Sequence, residues 1–171
     1  MKHLIIGGAR SGKSRYALNL AQASGEALYY LATAEARDEE MTERIARHKA
    51  ERDGRWTLVE EPFALAEALA EHDAPGRCIV VDCLTLWLSN CLEAGCWAEE
   101  KRLLLQTLET VSADLIFIAN EVGSGIIPLG ELSRQFVDES GWLQQALAGN
   151  CERVTTVIAG LPLTLKEPLS P

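Results

Sequence analysis

Gly7-Gly8-Ala9-Arg10-Ser11-Gly12-Lys13-Ser14 is the stretch on which the fold turns. It fits G-x-x-x-x-G-K-[ST] at every fixed position, the pattern of a loop that cradles phosphates. Glycines permit a tight turn whose backbone N–H groups point inward, where a side chain would block an anion. A helix beginning near Gly12 adds the partial positive charge of its N-terminus. Lys13 sets an ammonium against the outer phosphates, and the Ser14 hydroxyl is a hard oxygen ligand suited to Mg2+. The flanks fit too. Leu4 to Ile6 reads as a short buried strand, and Ser14 to Ala23 as a helix with Tyr16, Ala17, Leu20 and Ala21 at helical spacing. Residues 7–14 are therefore expected to hold a nucleoside triphosphate, with Gly7, Gly8, Ala9, Arg10, Ser11, Gly12, Lys13 and Ser14 as contacts.

The same alternation continues outward. Ala27 to Ala32, Cys78 to Val81, Leu115 to Ala119 and Val154 to Ala159 are apolar runs of strand length, the last one closing the series at Gly160. Helical patterns lie between them: Asp38 to Glu51, Pro62 to Ala70, Leu84 to Leu92, Trp97 to Val111 and Glu131 to Ala148. Short strands that are apolar on both faces and separated by helices predict a mostly parallel central sheet covered on both sides, a three-layer α/β fold. No repeat, low-complexity tract or linker divides residues 1–171, so one domain is expected. At 171 residues the chain is long enough to bury a substantial core.

Several polar residues stand where such a sheet carries chemistry. Asp82 closes the Cys78–Val81 run. An acid there either holds Mg2+, directly or through water, or caps the next helix. Asn120-Glu121-Val122-Gly123-Ser124-Gly125 follows a buried strand, the place where parallel sheets bind ligands, though also the place of plain connecting loops. Glu60 and Glu61 precede Pro62 and are consistent with acids favoured by a helix N-terminus. His48 shares a helix face with Met41 and Ile45 in a charged segment. Its ordinary pKa makes it a ready base or nucleophile, yet a lone helical histidine is more often structural or solvated.

Composition excludes some partners. The net charge of −9 gives no positive field for nucleic acid or anionic membrane, so neither is expected. The apolar N-terminal run is too short for a signal peptide, and no stretch approaches the 18 apolar residues that suggest a membrane span. The five cysteines include no C-x-x-C pair, so free thiols and a cytoplasmic location are expected.

With these residues in view the chain resembles a known family, the bifunctional adenosylcobinamide kinase and adenosylcobinamide-phosphate guanylyltransferases of cobalamin synthesis. The resemblance covers nearly the whole chain. It rests on GGARSGKSRYA (7–17), ATAEARDEEMTERIARHK (32–49), WTLVEEP (56–62), VVDCLTLWLSN (80–90), NEVGSGIIP (120–128) and RQFVDESG (134–141). Gln144-Gln145 departs from the Asn-Gln pair of the family pattern, within an otherwise matching stretch. The resemblance implies a P-loop NTPase fold of RecA-like type and two reactions. The hydroxyl of adenosylcobinamide takes the γ-phosphoryl group of ATP or GTP, and the resulting phosphate then takes GMP from a guanylylated histidine. The histidine that matches is His48, which implies a catalytic role for it beside Lys13. The resemblance further implies nucleotide contacts at Ala32, Thr33, Ala34, Glu60 and Asp82, Mg2+ at Ser14 and Asp82, and a homotrimer. A helix bearing His48 is expected to move towards bound GTP.

Two rival readings share the phosphate loop. One is a small-molecule kinase without guanylyl transfer; the other is a regulatory nucleotide switch with no small-molecule product. Arg10 and Arg134 fit all three readings and separate none of them.

Overall fold

The computed structural model describes residues 1–24, 27–34 and 55–168. Among them one sheet is built from β1 (Lys2–Gly7), β2 (Ala27–Ala32), β3 (Trp56–Glu60), β4 (Arg77–Asp82), β5 (Asp114–Asn120), β6 (Arg153–Ile158) and β7 (Leu161–Lys166). The helices are α1 (Lys13–Ser24), α2 (Leu65–Glu71), α3 (Leu84–Ala94), α4 (Trp97–Thr110) and α5 (Glu131–Asn150). Across the sheet the order is β3-β2-β4-β5-β1-β6-β7. All neighbours from β3 to β6 run parallel, and β7 returns antiparallel beside β6.

Strand alternation divides the core in two. Leu4, Leu31, Ile79, Val81 and Phe117 join the cluster that also holds Leu65, Trp87, Leu104 and Leu147 from α2 to α5. Their neighbours Ile5, Tyr30, Val80, Ile116 and Ile118 join Ala17, Leu18 and Ala21 of α1 in a second cluster. Helices therefore cover both faces, which is why β4 and β5 read as unbroken apolar runs. The largest anchor is Trp87. It is fully buried and meets Trp97 edge-on at 5.2 Å between ring centroids. Truncating a buried tryptophan to alanine costs about 3–5 kcal/mol.

Two strands lie outside the sequence reading. β3 pairs with β2 from Leu28↔Trp56 to Ala32↔Glu60, where no strand is expected. It forms one margin of the sheet and is largely exposed, so it lacks the double-sided apolar signal. The last expected strand is also not the last one. Ala159 and Gly160 make a two-residue turn with φ of 52° and 79°, and Leu161–Lys166 returns as β7. Positive φ at both central residues suits the twist of a tight hairpin. The predicted helix from Pro62 begins at Leu65 instead. Glu61 Oε1 accepts the N–H groups of Phe63 and Ala64 (2.9 and 2.8 Å) just before the first turn.

Candidate active site at the carboxyl edge of the sheet

β1 ends at Gly7, and the chain turns at once into the phosphate loop. A Cβ on Gly7 would lie 2.6 Å from both Ser11 Oγ and Val157 O, so only glycine fits. Gly12 carries φ of 95°, the left-handed region that glycine enters without steric cost. The loop is closed by its own backbone: Ser11 N donates to Gly8 O (3.2 Å) and Tyr16 N to Gly12 O (3.0 Å). The β6–β7 turn supports it from outside, with Gly160 N donating to Ser11 O at 2.8 Å. Gly8, Ala9 and Arg10 are exposed at the mouth.

Lys13 is buried, and its Nζ donates to Gly8 O at 3.1 Å, so the ammonium lies across the loop. Ser11 Oγ is buried in the same cradle without a hydrogen-bond partner. Ser14 follows Lys13 in the first turn of α1, which contains no acidic residue to compete for the helix N-terminus. An enclosed turn, a buried cation and an unpartnered hydroxyl suit an anion of several oxygens.

The sheet brings the other expected residues to the same edge. Ala32 is in register with Glu60 on one side and Asp82 on the other. The three strand ends thus lie abreast. Asp82 and Ile5 share the partner Ile118, so Asp82 sits two strand spacings from β1, about 10 Å away. Its Oδ2 accepts the Tyr30 hydroxyl at 2.8 Å, which orients the carboxylate. The peptide to Cys83 is cis. The N-cap position of α3 falls to Cys83 rather than Asp82. Burial, reinforced by Asp82, pushes the Cys83 thiol up to about 11, so it is no nucleophile near neutrality.

Ser14 and Asp82 offer a hydroxyl and a carboxylate, the oxygen donors that Mg2+ prefers. Among the described residues no group of three His, Cys, Asp or Glu side chains forms a metal cage. Of the other acids at this edge, Glu61 caps the approach to α2 and Glu121 accepts Gly123 N.

Thr33 is wholly buried, with its hydroxyl turned towards the β4 end of the sheet. Ala34 is half-buried beside it. His48, with Met41, Ile45 and the rest of the predicted helix 38–51, lies outside the described residues. Of the other histidines, His3 is buried and its Nε2 meets Thr155 Oγ1 at 2.9 Å. The His72 ring packs on Tyr29 at 5.4 Å between centroids. Both belong to the amino side of the sheet, away from the phosphate loop.

Several supports carry no warning in sequence reasoning. Thr85 Oγ1 accepts Asn120 N at 2.7 Å, and Gln144 Nε2 donates to Asn120 O at 3.0 Å, so α3 and α5 both hold the end of β5. Trp87 Nε1 donates to Phe63 O at 2.7 Å. The trace in the sequence is faint: the polar members of the stretch 82–90 are Asp82, Thr85, Ser89 and Asn90, and nothing in their spacing marks which of them turns inward.

Comparisons with known proteins point to one family and one fold. The family model described as cobinamide kinase / cobinamide phosphate guanyltransferase matches residues 3–165. A bifunctional adenosylcobalamin biosynthesis protein of Pseudomonas aeruginosa is 53% identical over 173 residues, spanning 99% of this chain and 100% of that one. Its counterpart in Escherichia coli K12 is 32% identical over 182 residues, spanning 97% and 100%. Among solved structures, the RadB recombinase superposes with a TM-score of 0.59 at 17% identity, covering 99% of this chain and 82% of that one. At that identity the likeness speaks for the RecA-like P-loop fold alone.

Proposed function

The chain belongs to the cobinamide kinase / cobinamide phosphate guanyltransferase family, and we propose that it performs both reactions from a triphosphate held on residues 7–14. The observation that carries this reading is the meeting of that loop with Ala32, Glu60 and Asp82 at one sheet edge, in a chain matched almost end to end.

In the first reaction the terminal hydroxyl oxygen of adenosylcobinamide attacks the γ-phosphorus of ATP or GTP. The bond from the γ-phosphorus to the β,γ-bridging oxygen breaks, the nucleoside diphosphate leaves, and the hydroxyl proton passes to solvent. In the second, a neutral His48 imidazole nitrogen attacks the α-phosphorus of GTP and pyrophosphate departs. The phosphate oxygen of adenosylcobinamide phosphate then attacks the P–N-bonded phosphorus. The P–N bond breaks, the imidazole is freed, and adenosylcobinamide-GDP forms. Lys13 and the loop N–H groups stabilise charge that builds on the leaving oxygens. Mg2+ held by Ser14 and Asp82 would supply further neutralisation of the phosphates when bound. Glu60 lies four strand positions from β1, about 19 Å along the sheet, a distance that suits the far end of a nucleotide rather than its phosphates.

The placement of His3 and His72 supports His48 as the nucleophile, because both of those rings are engaged on the amino side. All five cysteines are free thiols, which suits a reducing cytoplasm. Among the described residues no helix is long and apolar enough to cross a membrane. A homotrimer is supported by unpartnered apolar surface: Leu161, Leu163 and Leu165 alternate along exposed β7, and Ile126 and Leu129 are almost fully exposed. Light scattering at three chain masses supports that assembly, and one chain mass counts against it.

The deciding assay supplies adenosylcobinamide, GTP and Mg2+ and resolves the products. Both the phosphate and the GDP adduct are expected. Phosphate without adduct reduces the protein to a kinase, and nucleotide hydrolysis with neither product contradicts both halves.

A further inference from the structure

Thr33 and Asn90 are buried polar residues in an apolar surround, with 0% and 4% exposure. Such groups are tolerated inside only when bonded, and here their bonds converge on the ends of three strands. Thr33 N donates to Asp82 O at 3.2 Å. Its hydroxyl donates to Cys83 O at 2.7 Å and accepts Cys83 N at 2.8 Å. Thr33 thus grips two successive residues at the end of β4 from the end of β2. Its own carbonyl accepts Asn90 Nδ2 at 2.9 Å, and the same amide donates to Pro62 O at 3.1 Å. Glu61 N closes the set by donating to Ala32 O at 3.0 Å.

Thr33, Cys83 and Glu61 lie just past the carboxyl ends of β2, β4 and β3, where the sheet ladder stops. Asp82, Ala32 and Glu60 are the last ladder-paired residues of their strands, and the chain just past them is held by these bonds. Valine has nearly the same shape, but it would leave Cys83 N and Cys83 O without these partners, so the hydroxyl is what joins the β2 end to the β4 end. Backbone satisfaction alone would be served by water at an open edge, yet both residues are sealed in.

We propose that Thr33 and Asn90 are positioning residues for the nucleotide reactions: a buried lock that holds the Asp82 carboxylate in place for Mg2+ and ties the β2 and β3 ends to it. Thr33 then acts through Asp82 rather than by touching nucleotide with its side chain. The inference rests on the reading that Asp82 holds Mg2+.

The test uses the full chain with a fluorescent GTP analogue, titrated with Mg2+ and compared with binding in EDTA. Thr33→Val should leave binding in EDTA unchanged and raise the Mg2+ midpoint about tenfold, the usual cost of disturbing a support behind a metal ligand. Thr33→Ser, which keeps the hydroxyl, should stay near wild type. In turnover the Thr33→Val loss should appear in kcat with little change in KM at low Mg2+, and should shrink as Mg2+ is raised. If Thr33→Val does not fold, Asn90→Ser cuts the lock from the helix side and should show the same shift in midpoint. An unchanged Mg2+ midpoint in a folded variant overturns the proposal, as does a Thr33→Ser variant as impaired as Thr33→Val. A wild type with no Mg2+-dependent gain in affinity contradicts the metal reading itself, and the lock with it.

Discussion

The phosphate loop and the row formed by Glu60, Ala32 and Asp82 share one edge of the sheet, but they are built in opposite ways. The loop is made of backbone. Its shape comes from Gly7, which admits no Cβ, from Gly12 at φ 95°, and from backbone bonds, mostly between neighbours in sequence with one from Gly160 of the β6–β7 turn. The row is made of side chains from three strands, aligned by register and tied by Thr33, Tyr30 and Asn90 from elsewhere in the chain. A backbone cradle serves any triphosphate. A row of side chains held by distant partners can serve one metal geometry and one nucleotide.

The sharpest break comes from removing the one side chain on which the loop depends. Lys13→Ala should lower kcat/KM of both reactions together, by about 100- to 1,000-fold, as when a principal charge-stabilising group is lost from an active site. Steady-state assays of phosphate and GDP adduct formation check this, and a variant that loses only one product would separate two sites. Asp82→Asn should act on the row and spare the loop. Turnover at limiting Mg2+ should fall about 10- to 100-fold while nucleotide binding in EDTA persists. Steady-state assays read the turnover and titration calorimetry with and without the metal reads the binding, and equal binding losses under the two conditions would place Asp82 on the nucleotide instead.

The smallest effect belongs to a residue in neither region. His3 lies buried in β1, and burial, helped by Arg153, lowers its pKa to about 4. The unfolded chain takes up a proton near pH 6.5 that the folded chain refuses until about pH 4. Stability from this group is therefore complete above pH 6.5 and is lost on acidification towards 4, at a slope approaching about 1.4 kcal/mol per pH unit. Denaturant unfolding should show His3→Gln losing less stability than wild type over that window, with both activities at neutral pH intact. Parallel curves would contradict the assignment.

The two constructions also explain what could be read from sequence. A backbone cradle leaves a local record, because the glycines, Lys13 and Ser14 must stand at fixed offsets. The core strands leave one as well: β4 and β5 are covered on both faces and are apolar without interruption. Strands at the margins do not. β3 and β7 are mostly exposed and carry the mixed residues of a surface, so WTLVE and LPLTLK resemble connecting segments. Asp82 was legible because it closes a buried run. Its supports were not, since Thr33 lies 49 residues upstream in the chain and meets it only after β2 and β4 pair. Asn90 left a fainter trace, a polar residue on the buried side of α3 between Trp87 and Cys91. Glu60 and Glu61 looked alike in sequence and parted on folding. One ends β3 in line with Ala32, and the other caps the approach to α2.

The most direct measurement follows GMP itself. The protein is incubated with GTP labelled at the α-phosphorus and with Mg2+, then digested and mapped by mass spectrometry. An acid-labile, base-stable GMP adduct on His48 is expected, absent from His48→Ala and discharged by adenosylcobinamide phosphate with formation of the GDP adduct. Label that persists in His48→Ala, or transfer to the acceptor without any labelled protein, would contradict the histidine route.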